Sequence, residues 1–223
     1  MRPISRFGVL LLSVFVTCLS LVSQTSRPKE EKPVFENEFV KAFQVTLKKG
    51  EKLPPHESGD RLIYSLSAYS LKYIWADRST IEKRTAGDLH FHPSGVHAEE
   101  NAGPATVSFL IVERTATPLP AVEISGEDMA KMSPYNTKVL FDRAMAKVFE
   151  VTLPPRDAVA MHLGLPRLVY GLTAYDLKIK TPDGKEARAG GKKGSFRWEG
   201  ASIHSVGNST NATAKVVVFS FKK

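Results

Sequence analysis

HESGDRLIYSLSAYSLK, residues 56–72, returns 106 residues later as HLGLPRLVYGLTAYDLK, residues 162–178. The match extends upstream, where VFENEFVKAFQVTL from Val34 lies over LFDRAMAKVFEVTL from Leu140. Between Val34 and Lys72 fifteen of thirty-nine aligned pairs are identical, where average composition would give about two or three. A one-residue insertion then moves the offset to 107, and GDLHFHPSGVHAEEN from Gly87 lies over GSFRWEGASIHSVGN from Gly194. The closing TVSFLIVE from Thr106 is matched to KVVVFSFK from Lys215. Similarity at one long period marks a repeated structural unit, here an internal duplication.

Each copy reads as short strands. Phe43, Val45 and Leu47 alternate with Gln44 and Thr46, and Phe149, Val151 and Leu153 repeat the arrangement. Such alternation needs a pleat with one buried face. Leu62 to Leu66, its partner from Leu168, Leu71 to Trp75 and Val216 to Phe221 are also β-rich. Pro54-Pro55, Ser58-Gly59, Ala86-Gly87, Pro182-Asp183-Gly184 and Gly190-Gly191 supply turns between them. No stretch within either copy has helical periodicity. Six to eight strands in about eighty residues predict a small all-β barrel or sandwich, twice over, at 34–113 and 138–223. Residues 114–137, with Pro118, Pro120 and Pro134, read as the linker, carrying a short helix near Asp128 to Lys131.

The N-terminus reads differently. Arg2 and Arg6 precede an apolar run from Phe7 to Val22, and Ser20 or Ser23 offers a small residue for cleavage. This is a secretory signal pattern over 1–23, expected to leave a periplasmic or secreted protein with no membrane segment. The rival reading is a retained anchor, since the run approaches spanning length. Ser26 to Pro33 is charged and proline-flanked, so 24–33 reads as a tether. Cys18 is the only cysteine, and cleavage would remove it, leaving no disulfide to form. Thr17 ahead of it fits a lipoprotein signal poorly. The net charge of +8 is spread along the chain without a stacking motif, which argues against nucleic-acid binding.

Two motifs bear on chemistry. Gly50-Glu-Lys-Leu-Pro-Pro-His56 and the set Gly87, Pro93, Gly95, His97 and Asn101 resemble the two motifs of the cupin superfamily, with one residue fewer between Gly95 and His97. PPH…DRL…LS followed by HAEEN also resembles small cupins grouped with β-alanine-degradation proteins. Copy two keeps His162 together with Gly194, Gly200, His204 and Asn208. The resemblance implies two tandem cupin barrels, each a double-stranded β-helix or jelly roll. It also implies a metal site of three His and one Glu suited to Fe, Mn, Ni or Zn. By position His56 and His97 match the first and last ligands, but Ser58 replaces the second His and no Glu follows. His162 and His204 hold the same places in copy two, with Gly164 at the gap.

All six histidines fall in these motifs, and His90 or His92 could substitute for the lost ligand. The two lie two apart on one strand and so share a face. Their counterparts are Arg197 and Glu199, so that face reads equally as a solvated one. Glu99 and Glu100 could supply a carboxylate near His97, but as adjacent acids they are expected to face water. Asn101 and Asn208 read as turn residues that bond local backbone. Two functions follow. One is a non-catalytic protein with a small-ligand pocket and a partly degenerate metal site. The other is a metal-dependent oxygenase or isomerase using His56, His97 and His92 of domain one, with His162 and His204 vestigial. A homodimer paired through exposed strands is a third expectation.

Overall fold

The computed structural model describes residues 32–223, so the signal segment and all but the last two residues of the tether lie outside the described residues. In the first half the strands are β1 (Phe35–Glu36), β2 (Val40–Leu47), β3 (Lys52–Ser58), β4 (Arg61–Ser65) and β5 (Tyr69–Ile74). They continue as β6 (Ser79–Arg84), β7 (Leu89–His92), β8 (Gly95–Asn101) and β9 (Val107–Arg114). Helix α1 (Met129–Met132) follows. The second half holds β10 (Thr137–Arg143), β11 (Ala146–Leu153), β12 (Ala158–Gly164), β13 (Arg167–Gly171) and β14 (Tyr175–Lys180). It closes with β15 (Glu186–Gly191), β16 (Phe196–Glu199), β17 (Ser202–Asn208) and β18 (Ala214–Phe221).

The pairing is antiparallel and the order is the same in both halves. One sheet runs β1-β2-β9-β4-β7 and faces another ordered β3-β8-β5-β6. The second half gives β10-β11-β18-β13-β16 and β12-β17-β14-β15. Each half is therefore a jelly-roll barrel, and the inserted residue falls in the turn between β14 and β15. Gly184 takes φ +82° there, a conformation that favours glycine. The closing strands pair so that Val107 meets Leu47 and Ala214 meets Leu153, an offset of 107. The match of Thr106 to Lys215 is thus two residues out of register. A slip of two keeps every side chain on its own face, so hydrophobic pattern cannot detect it.

Alternation explains the interiors, but the central strands are apolar on both faces. In β2, Phe43, Val45 and Leu47 point into the first barrel, while Val40 and Ala42 point out of it. In β9, Phe109 and Ile111 point in while Leu110 and Val112 point out. The second barrel repeats this with Val216 and Val218 inside and Val217, Phe219 and Phe221 outside. The two outward faces meet in one cluster that also takes Leu62, Tyr64, Leu168, Tyr170 and Leu119 of the linker. Continuous apolar runs such as FLIV and VVVF are what strands buried on both faces require. The outer face of each barrel is thus covered by the other barrel of the same chain.

Asp128 caps α1, its carboxylate accepting from the N–H of Ala130 at 3.0 Å and of Lys131 at 3.2 Å. Met129 packs into the second barrel. Among the described residues no helix is long and apolar enough to cross a membrane.

Phe219 is fully buried where the barrels meet. Phe219→Ala should cost about 3–5 kcal/mol of stability, as large-to-small changes in a well-packed core do. Urea unfolding followed by tryptophan fluorescence would measure it, and a loss below about 1 kcal/mol would mean that the barrels do not stabilise one another through this face.

Candidate functional site

A β-bulge builds each histidine pair. Lys52 and Leu53 of β3 oppose Glu100 and Glu99 of β8, and after a one-residue register shift His56 opposes His97. The extra residue falls at Pro54-Pro55, on the sheet-edge strand that tolerates proline. The same shift between Val159 and His162 brings His162 opposite His204. Ring centroids lie 5.1 Å apart in the first pair and 4.5 Å apart in the second. Each first histidine is oriented by its own backbone. The Nδ1–H of His56 donates to Pro54 O at 3.0 Å, and that of His162 to Ala160 O at 2.8 Å. Both Nε2 atoms are thereby left as acceptors.

The sequence reading missed a residue common to both sites. Arg61 opens β4 and Arg167 opens β13, in register, with side chains turned inward. The Arg61 guanidinium is fully buried, and its Nη2 donates to His97 Nε2 at 2.6 Å and to Glu99 Oε1 at 2.9 Å. Arg167 Nη2 donates to His204 Nε2 at 3.2 Å, and its Nη1 donates to the carbonyls of Leu165 and Gly200 at 3.1 and 2.9 Å. An identical arginine within the quoted repeat was the available signal.

Glu99 does not face water. It is 1% exposed, two residues beyond His97 on the same face of β8, whereas Glu100 is half-buried and reaches Lys52 at 3.3 Å. Burial alone would raise the Glu99 carboxyl. Its contacts with His97 and Arg61 outweigh this and hold it below the ordinary carboxylate range. The expectation of a solvated His90 and His92 face is likewise overturned. Both rings are buried on the inner side of β7, while Phe91 between them is partly exposed. His92 lies 4.7 Å from His97 and 4.9 Å from Tyr73, ring to ring, and is stacked on Trp75 at 6.4 Å. Asn101 and Asn208 bond local backbone as read, their amides donating to Ala105 O and Ala212 O, and they also tie in the distant carbonyls of Leu47 and Leu153.

His56, His97 and Glu99 bring their donor atoms within 4.8 Å of one another, and in kind they could hold a divalent cation. The guanidinium of Arg61 lies among those atoms. A fixed positive charge bonded to two of the three donors does not fit with a second cation at the same place, so the set as folded does not suit a metal. In the second barrel Val206 stands where Glu99 stands, since Ile179 pairs with Val206 as Tyr73 pairs with Glu99. At Gly164, the missing-ligand position, a side chain would force Arg167 or His204 to shift. A Cβ there would come within 2.5 Å of Arg167 Nη1 and 2.7 Å of His204.

The two interiors differ in size. The second barrel contains a cavity of about 170 Å³ walled mainly by apolar side chains such as Val151, Leu177 and Ile179, with His162, Arg167, His204, Ser202, Arg197 and Glu199 as its polar lining. The register shows why it exists. Tyr73, Phe109, Glu99 and Glu82 of the first barrel are replaced by Ile179, Val216, Val206 and Ala189.

No protein-family model matches the sequence, and no curated protein matches it. Solved structures do match. AerE from Microcystis aeruginosa superposes with TM-score 0.60 at 16% identity over 89% of this chain and 100% of its own. Oxalate decarboxylase from Bacillus subtilis at pH 4.6 gives 0.62 at 14% identity over 83% and 68%. The structure from work on the Mn(II) centres of that decarboxylase gives 0.60 at 15% identity over 83% and 70%. At these identities the likeness is one of fold. The neighbours are cupin proteins, and the chain is an all-β protein of two tandem cupin-type barrels.

Burial depresses the histidines. His90 and His92 are lowered to about 4, by desolvation first and then by Arg84 and Arg61 respectively. His204 is lowered to about 3 by desolvation and Arg167, and His56 and His162 are lowered by desolvation too. Each ring stays neutral in the fold over a range where the unfolded chain takes up a proton. The stabilisation is complete above pH 6.5 and is lost as pH falls towards 3–4. Thermal melts should therefore hold from pH 8 to about 7 and fall steadily from about 6 to 4, the lost stability amounting to several kcal/mol. A flat profile across that window would contradict the burial of these rings.

Proposed function

We propose that this is an exported bicupin that binds a small molecule in its second barrel and uses neither histidine pair for metal chemistry. The observation that carries the reading is the arginine on Nε2 of the last histidine in both barrels, Arg61 on His97 and Arg167 on His204. That nitrogen is the one a metal would need. The cavity beside His162 and Arg167 supplies the binding space. Export rests on Arg2, Arg6 and the apolar run from Phe7 to Val22, and descent of the halves from one ancestral unit on their aligned residues. The resemblance of PPH…DRL…LS with HAEEN to small cupins grouped with β-alanine-degradation proteins supports a likeness to that group.

One observation favours a second reading. The His56, His97 and Glu99 group suits a metal in kind, and a structural neighbour is described with Mn(II) centres. That reading makes the first barrel the seat of an oxygenase or isomerase, with Arg61 displaced and His92 in support.

Elemental analysis decides between them. Protein expressed with its own leader, purified, and reconstituted in turn with Fe, Mn, Ni and Zn should retain far less than one equivalent of any of them. Arg61→Ala should raise retention of Zn or Ni towards one equivalent, and adding His56→Ala should abolish the gain. Stoichiometric metal in the unaltered protein, lost on His56→Ala or His97→Ala, would replace the binding reading with the enzymatic one.

A further inference from the structure

The two barrels place the same arginine differently with respect to charge. Arg61 has a buried carboxylate, Glu99, as its counter-ion, with both side chains fully removed from solvent. Arg167 has none at that position, because Val206 stands there. Glu199 lies at the cavity and is paired with Arg197. Arg167 is instead held by two backbone carbonyls and one imidazole, and burial lowers its pKa to about 10. A buried guanidinium without a carboxylate is costly, and the cost is relieved by any anion that reaches it.

The same cavity contains an unsatisfied polar atom. His162 is 2% exposed and its Nε2 has no hydrogen-bond partner. Most of the remaining wall is apolar, with Ser202, His204 and the Arg197–Glu199 pair as its other polar members, and the space corresponds to bulk that the first barrel fills with Tyr73 and Phe109. The first barrel is in effect its own ligand: a carboxylate on the arginine, beside the histidine pair, with aromatic bulk behind it.

Resting on the binding reading above, we propose that the second barrel takes a small monocarboxylic acid with a compact apolar body. One carboxyl oxygen accepts from Arg167 Nη2, which has a second proton beyond the one given to His204. The apolar body occupies the space vacated at Ile179 and Val216. The volume sets the size: a cavity of about 150 Å³ accommodates benzene, and this one is about 170 Å³. The ligand is therefore on the scale of a single ring or a short branched chain bearing one carboxylate.

The test is calorimetric titration of the purified full chain with benzoate, benzamide and toluene. Benzoate should saturate one site, and benzamide, its neutral isostere, should bind at least about tenfold more weakly, as loss of a charge-assisted hydrogen bond implies. Val206→Glu restores the carboxylate of the first barrel and should abolish benzoate binding while the protein stays folded by circular dichroism. Val216→Phe refills the space behind it and should abolish binding without touching a polar group, so the test survives if the glutamate variant misfolds. Equal binding of benzoate and benzamide or toluene, blocked by Val216→Phe, would overturn the carboxylate class and leave the binding reading intact. Absence of benzoate binding at millimolar concentration, or binding indifferent to Val216→Phe, would also overturn the proposal. Stoichiometric metal in the first barrel would instead count against the binding reading itself.

Discussion

A guanidinium buried inside a small barrel is the constraint on which the two sites depend. Removing such a charge from water costs several kcal/mol unless acceptors are ready to meet it. In the first barrel the acceptors are His97 and Glu99, and in the second they are His204 and two loop carbonyls. The arginine in turn dictates what else the pocket can hold. It engages Nε2 of the last histidine, and in the second barrel it crowds Gly164, where a side chain would require Arg167 or His204 to shift.

The scaffold can carry such a charge because apolar packing elsewhere is ample. Each barrel has an interior cluster of its own, and a third cluster joins them through the outward faces of β2, β9, β4 and their counterparts. Burying each large side chain there contributes about 1.5–3 kcal/mol. The face that a lone barrel would offer to a second molecule is already occupied within the chain, so exposed-strand pairing is not needed to cover it.

How much of this could be read beforehand follows from which signals are periodic. The repeat, the strand alternation and the turn asparagines are local or translational patterns, and they led to two like barrels with His56 opposite His97 and His162 opposite His204. The joining of the barrels was also written in the sequence, in the unbroken apolar run from Phe109 to Val112, but a run alone does not say what covers it. Glu99 was misjudged because adjacent acids usually sit in water, and on a strand only one of the two can. Its parity with His97, two residues away, put it inside. Arg61 and Arg167 were overlooked because the metal pattern directed attention to the ligands that were absent. The two-residue slip in the closing strand left no trace in hydrophobicity at all.

The difference between the barrels now has a physical form. They share strand order, bulge, histidine pair and arginine, and they part company where Glu99 becomes Val206 and Tyr73, Phe109 and Glu82 become Ile179, Val216 and Ala189. Each change removes volume or charge from the same interior. A core that loses volume without collapsing leaves a cavity whose cost is repaid only when something enters it. In the first barrel the arginine meets a buried carboxylate, and in the second it meets an imidazole and two backbone carbonyls beside a cavity.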